Sequence, residues 1–147
     1  MPIDYIFDAD RRLLVARAHG VLDEADAARH EREVGSNPVF RDFNRLIDLS
    51  GVIDVLDTLT ETGRVRQAAG RAAAWDRAGG PAKMVIVAPN DFLYALGRMY
   101  LTYRGLYARG RCQAAVVRSM AEALEFLGLE EGAIGESLPD AAAEGAG

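Results

Sequence analysis

Apolar positions along the chain change their period several times, and each change marks an element. Tyr5, Ile6 and Phe7 form a short apolar run, followed by Asp8-Ala9-Asp10, whose short acidic side chains favour a turn. Residues 13–19 form a second run, closed by Gly20. So short a connection predicts an antiparallel hairpin. Asp23 opens a helix with Glu24 and Asp26 in its first turn, where negative charge meets the positive end of the helix dipole. The breaker cluster Gly35-Ser36-Asn37-Pro38 ends it. Leu46, Ile47 and Leu49 predict a third strand, interrupted at Ser50-Gly51. Thr58 and Glu61 have capping-box spacing and start a long helix reaching about Ala78. Val65, Ala69, Ala72 and Trp75 supply its apolar stripe, and Gly79-Gly80-Pro81 stops it.

Residues 84–88 are almost continuously apolar, as in a strand covered on both faces. Asn90 or Asp91 caps the next helix, whose predicted core stripe is Phe92, Leu96, Met99, Tyr103 and Leu106. Residues 112–117 predict a fifth strand. Ser119 and Glu122 form a second capping box, and the last helix runs through Leu124 and Leu127 to Gly128. Two strands followed by alternating helices and strands define the α/β class. The expected architecture is a five-stranded mixed sheet with an N-terminal antiparallel hairpin, right-handed crossovers and four helices. Residues 1–129 read as one domain. The Ala/Gly-rich acidic tail, 130–147, has no periodicity and reads as disordered.

Composition narrows the functional classes. A length of 147 residues suits a single domain, with half of them apolar and 27% charged. No apolar run approaches the roughly 18 residues of a membrane helix, so no membrane span is expected. The first ten residues lack a basic apolar leader, and a cytoplasmic location is expected. One cysteine excludes a disulfide framework. The net charge of −5 comes entirely from five acids after Leu129; the body is balanced. The basic footprint that nucleic acid requires is therefore absent.

Catalytic signatures are also missing. His30-Glu31 begins like a zinc-protease pair, but the second histidine would fall at Val34. An exposed, charged helix face is the simpler expectation for His30. Residues 105–110 have phosphate-loop spacing, but Arg111 and Cys112 replace the lysine and hydroxyl. Ser50 has no glycine two places before it, as a nucleophile elbow requires, and Cys112 reads as a small buried hydrophobe. No catalytic residue, metal or cofactor is assigned, and a non-enzyme is expected. Ligands of open α/β sheets bind beyond the carboxyl ends of the strands. His19, Asp48, Ser50, Asp54, Asp57, Thr58, Asn90 and Asp91 stand there as binding candidates. The three aspartates could hold a hard cation, but Asp48 and Asp57 equally suit a tight turn and a helix start.

Asp48-Leu49-Ser50-Gly51-Val52, between an apolar strand and a helix, resembles the corresponding segment of STAS domains. The closer likeness is to the SpoIIAA-like group of small bacterial proteins, mostly of unassigned function. Gly20-Val21-Leu22 before an acidic helix, and the apolar strand running into Pro89-Asn90-Asp91, extend the resemblance over about residues 2–129. It implies a βα superhelix whose first strand is antiparallel. In anti-sigma-factor antagonists of this family, a phosphorylatable serine follows an aspartate at the start of the helix after the third strand. The nearest match, Asp57-Thr58-Leu59-Thr60, departs from that pattern, with Leu59 at the acceptor position. Thr58 reads as a helix cap instead. The resemblance implies a non-enzymatic regulatory or protein-interaction module. The alternative is a binding module for a small apolar ligand or lipid, since related folds include CRAL-TRIO domains. A concave apolar pocket would favour the ligand, an exposed apolar patch the protein partner.

The helix over 92–107 carries four of the five tyrosines. Tyr94, Tyr100, Leu101 and Tyr107 add apolar and aromatic surface beyond the core stripe. Tyrosine is enriched at interface centres, so a homodimer through this helix is expected.

Overall fold

Strands β1 (Ile3–Asp8), β2 (Leu13–Leu22), β3 (Asn44–Val55), β4 (Lys83–Val87) and β5 (Gln113–Val117) form one sheet, in that order. The computed structural model describes residues 3–35, 37–40, 42–55, 62–77, 83–108 and 112–130. The predicted cap at Thr58 and Glu61, the Gly79-Gly80-Pro81 stop, Asp57, Thr60, the Trp75 side chain and residues 131–147 lie outside the described residues. Strands β1 and β2 pair antiparallel, with Ile3 opposite Ala18 and Asp8 opposite Leu13. All other pairings are parallel. The hairpin turn is tied by the Arg11 N–H, which donates to Asp8 Oδ1 at 3.1 Å.

Helices α1 (Glu24–His30), α2 (Thr62–Arg77) and α3 (Asp91–Ala108) cover one face of the sheet, and α4 (Met120–Leu127) covers the other. Strands that follow one another across a sheet in one direction place their crossover helices on a common face. Odd and even positions of β2 and β4 therefore bury against different partners. Val15, Val85 and Val87 meet Ala123, Leu124 and Leu127 of α4. Ala18, Met84 and Ile86 meet Leu93 of α3. The apolar run 84–88 is buried throughout, as a strand covered on both faces should be.

Helix ends follow the polar residues at their boundaries. Asp23 Oδ1 accepts from the Asp26 N–H at 2.8 Å while Asp26 accepts from the Asp23 N–H at 3.1 Å. Asn90, not Asp91, caps α3, accepting from the Leu93 N–H at 2.8 Å. Ser119 accepts from the Glu122 N–H at 3.2 Å. Gly128, at φ 74°, ends α4, and the Leu129 N–H reaches back to the Leu124 carbonyl at 2.9 Å.

Four expectations need correction. Strand β2 does not end at Gly20 but runs to Leu22; the register shifts there, and the φ of 73° at Gly20 accommodates the bulge. Strand β3 is not interrupted at Ser50-Gly51. A Cβ on Gly51 would lie 3.1 Å from the Ala18 carbonyl oxygen, so this glycine serves a close approach to β2 inside the strand. Strand β5 starts at Gln113, and Cys112 before it is only half-buried. The expected stripe of α3 is out of phase. Phe92 and Leu106 are 55% and 68% exposed, whereas Leu93 is 3% exposed. The inner face is instead Leu93, Leu96, Gly97, Tyr100 and Arg104. Gly97 sets this phase: a Cβ there would sit 3.2 Å from Val116 Cγ2, so its missing side chain lets α3 lie close on the sheet. Among the described residues no helix is long and apolar enough to cross a membrane.

Candidate functional site

Five of the polar candidates at the carboxyl end of the sheet have partners within the protein. Asp48 Oδ1 accepts from the Ser50 N–H at 2.9 Å, and Asp54 Oδ1 from the Val55 N–H at 2.8 Å. Asn90 caps α3. Asp91, almost fully exposed, pairs with Arg118 at 2.8 Å. His19 Nε2 lies 3.0 Å from Asp4 Oδ2 across the hairpin. Asp54 and Asn90 line one depression of about 280 Å³ with Ile53 and Phe92, but His19 and Asp48 do not join them. Asp57 and Thr58 lie outside the described residues. Among the described residues, no three His, Cys, Asp or Glu side chains are grouped to hold a metal ion.

The most apolar of the concavities among the described residues lies elsewhere, between the sheet and helices α1 to α3. It is a cavity of about 150 Å³. Ala16, Ala18, Ile47, Leu49 and Ile86 of the strands form its floor. Val65 and Ala68 of α2, with Leu93 and Leu96 of α3, form much of its roof. Its polar lining comes from His30, Glu31 and Tyr100.

Helical spacing brings these three together. Ala27, His30, Glu31 and Val34 recur at steps of three, one and three, which puts them on one face of α1 and its continuation. The Glu31 N–H closes α1 on the carbonyls of Ala27 and Ala28, and the chain then widens into a π-helical turn over Glu31–Gly35. Such widened turns recur at functional sites. On α3, Leu93, Gly97, Tyr100 and Arg104 recur at steps of four, three and four, and bring a phenol and a guanidinium to the same point.

The groups form two bonded sets that meet at the neighbouring residues His30 and Glu31. The Tyr100 hydroxyl donates to Glu31 Oε1 at 3.1 Å. Arg104 Nη1 donates to the Tyr100 oxygen at 3.1 Å and lies 3.7 Å from Glu31 Oε1. The Tyr5 hydroxyl lies 2.8 Å from His30 Nδ1, and the two rings stack with planes 8° apart. Arg45 on β3, fully buried, contributes positive charge beside His30 and Glu31. Among the residues that line the cavity, two buried atoms have no hydrogen-bond partner: His30 Nε2 and Glu31 Oε2.

Burial pushes the His30 imidazole down to about 4, with Arg45 and Arg104 helping and Glu31 opposing, so it is neutral near pH 7. Burial alone would raise the Glu31 carboxyl. Arg104 foremost, then Arg45 and the Tyr100 hydrogen bond, outweigh burial and hold it below the usual carboxylate range. Burial, with Glu33 and Glu31 near Tyr5 and Glu31 near Tyr100, raises both phenols well above their ordinary value. The cluster thus keeps fixed protonation states through neutral pH: a neutral imidazole, a carboxylate and two phenols. Fixed donors and acceptors suit recognition of a ligand by hydrogen bonds.

His30 is therefore not on an exposed charged face, because the apolar period of α1 carries it inward. Sequence reasoning missed His30, Glu31, Arg45 and Arg104 as a group. Their signal lay in the shared spacing with Ala27 and Val34, and in the single turn that separates Tyr100 from Arg104. Tyr100, expected at a self-association surface, points its hydroxyl into this cluster. Of the other residues expected there, Tyr94 packs under Arg118, Leu101 is partly buried, and Tyr107 stacks on Tyr103 at the surface.

No protein-family model and no curated protein matches the chain. The chain is similar in structure to an uncharacterised protein of the DUF3478 family, with a SpoIIAA-like fold, from Shewanella loihica PV-4. The TM-score is 0.49 and the identity 14%, over 85% of this chain and 91% of that one. The likeness concerns the fold alone.

Proposed function

We propose that this chain is a binding module for a small, mainly apolar ligand held between the sheet and helices α1 to α3. The observation that carries the reading is the cavity itself: apolar walls with His30, Glu31 and Tyr100 as its polar lining. Ligand sites are typically apolar concavities with a few convergent polar groups. A buried polar atom left without a partner costs about 1–3 kcal/mol, and a ligand that engages it removes that penalty. At about 150 Å³ the cavity matches a benzene-sized molecule. It lies below the roughly 300–1,000 Å³ of sites for drug-sized ligands, so a long lipid chain does not fit it.

The test is a titration of labelled protein with toluene, followed by amide resonances. Saturable shifts centred on residues 27–31 and 93–100, with little change at Asp48, Asp54 or Asp91, are expected. Absence of any saturable shift, with toluene and with its polar analogue benzamide alike, would remove the proposal.

A second reading, a protein-interaction module, is favoured by the outer face of α3. Phe92 and Leu106 are exposed there, with Tyr107 at the margin of exposure. Light scattering on the wild type and on a Phe92→Glu, Leu106→Glu variant tests it. The reading requires an assembly that the double variant breaks; a wild type that is monomeric at every concentration removes self-association through this face.

A further inference from the structure

We infer that the cavity selects a neutral ligand whose polar head both donates and accepts a hydrogen bond, as a carboxamide does, with the head between His30 Nε2 and Glu31 Oε2. The inference rests on reading the cavity as a binding site, and it specifies what that site takes.

The unpaired atoms define the head group. In His30 and Glu31, Nδ1 is engaged with the Tyr5 hydroxyl and Oε1 with the Tyr100 hydroxyl. His30 Nε2 and Glu31 Oε2 are left buried without protein partners, on two residues that line the same cavity. Their polarity follows from their neighbours. The Tyr5 phenol is held protonated by burial, and the atom within its reach is Nδ1 of a neutral imidazole. A neutral phenol can donate to Nδ1 or accept from it; we assign Tyr5 as the donor, which places the single ring proton on Nε2, beside the Glu31 carboxylate, and makes that atom a donor. Glu31 is ionised, and its Oε2 can only accept.

A ligand must then present an acceptor to His30 and a donor to Glu31. A carboxylate offers no donor and brings a second negative charge against Glu31. An ammonium offers donors only, leaves the Nε2 proton without an acceptor, and meets the nearby charges of Arg104 and Arg45. A hydrocarbon leaves both atoms unmet. A neutral amide meets both, and the aliphatic walls formed by Ile47, Leu49, Ile86, Leu93 and Leu96 receive its apolar body.

Calorimetric titration of the unmodified protein at pH 7 with toluene, benzamide, benzoate and benzylammonium tests this. Benzamide should bind at least about tenfold more tightly than toluene, as two well-placed hydrogen bonds to buried groups provide. Benzoate and benzylammonium should bind more weakly than benzamide. The variant Glu31→Gln should weaken benzamide more than toluene and so narrow the gap between them; if it fails to fold, the ligand series on the wild type still decides. Toluene binding as tightly as benzamide overturns the head-group assignment while the cavity remains a binding site. Benzoate or benzylammonium binding tightest overturns it in favour of an ion site. Failure of all four overturns both the assignment and the binding reading.

Discussion

At the carboxyl end of the sheet, Asp48, Asp54 and Asn90 each accept a hydrogen bond from an amide no more than three residues away. Inside the molecule, Tyr5, His30, Glu31 and Tyr100 are joined by bonds that span 25 and 69 residues of sequence. The first region is dense in polar residues along the chain; these three are absorbed by their own backbone, while His19 and Asp91 form exposed pairs with Asp4 and Arg118. The second is sparse along the chain and dense in space. Short side chains such as aspartate and asparagine reach neighbouring amides easily and so become turns and caps. Tyrosine, glutamate and arginine extend past the backbone, so when helical spacing turns them inward they meet one another. Polar groups that converge through tertiary contacts, with atoms left over, mark the better candidate site.

The sharpest way to break this contrast is to remove one charge from each region. Arg104→Ala leaves Glu31 buried without its ion-pair partner and should destabilise the protein by about 3–5 kcal/mol. Asp91→Ala, in an exposed pair, should change stability by at most about 1 kcal/mol. Urea unfolding of the two variants compares them directly; equal effects would erase the distinction.

A probe of α3 phase comes next. Leu93→Ala should cost about 2–5 kcal/mol, because it empties a buried site facing Met84 and Ile86. Phe92→Ala, one position earlier, should fall within about 1 kcal/mol. The reverse order would restore the stripe of Phe92, Leu96 and Leu106.

Acid should also separate the regions. The folded His30 imidazole sits at about 4, below its ordinary value of 6.5, so the unfolded chain binds a proton that the native state refuses between those values. This contribution is complete above pH 6.5 and is lost as pH falls toward 4, to an extent of about 3 kcal/mol. Glu31, held below the usual carboxylate range, adds to the loss once pH drops under about 4.5. A stability profile of wild type against His30→Gln should show the variant flatter between pH 6.5 and 4.5. Parallel profiles would mean that His30 is not buried as a neutral ring.

The class, the mixed sheet, the caps at Asp23 and Ser119, and the choice of Asn90 or Asp91 for α3 were legible in the sequence, because each is set by local spacing and backbone hydrogen bonds. The burial of the apolar run 84–88 was equally legible. The continuation of β2 through Gly20 and of β3 through Gly51 was not: both glycines look like strand ends until the register shift between the two strands is known. The inner face of α3 was obscured because one of its members, Arg104, is charged and another, Gly97, has no side chain to count as apolar. That same face supplies the cavity, so an error of one residue in helix phase concealed the candidate site.

The smallest effect is expected at the sheet end. Asp54→Ala should alter stability by about 0.5 kcal/mol or less and leave toluene or benzamide binding unchanged. A strong loss of binding would move the functional surface back to the carboxyl end.

The most direct measurement is a crystal structure of the protein grown with benzamide. The account predicts density for one ring among Ile47, Ile86 and Leu93, with its amide between His30 and Glu31. A cavity that is closed, or filled only by water while benzamide sits on the surface, would contradict it.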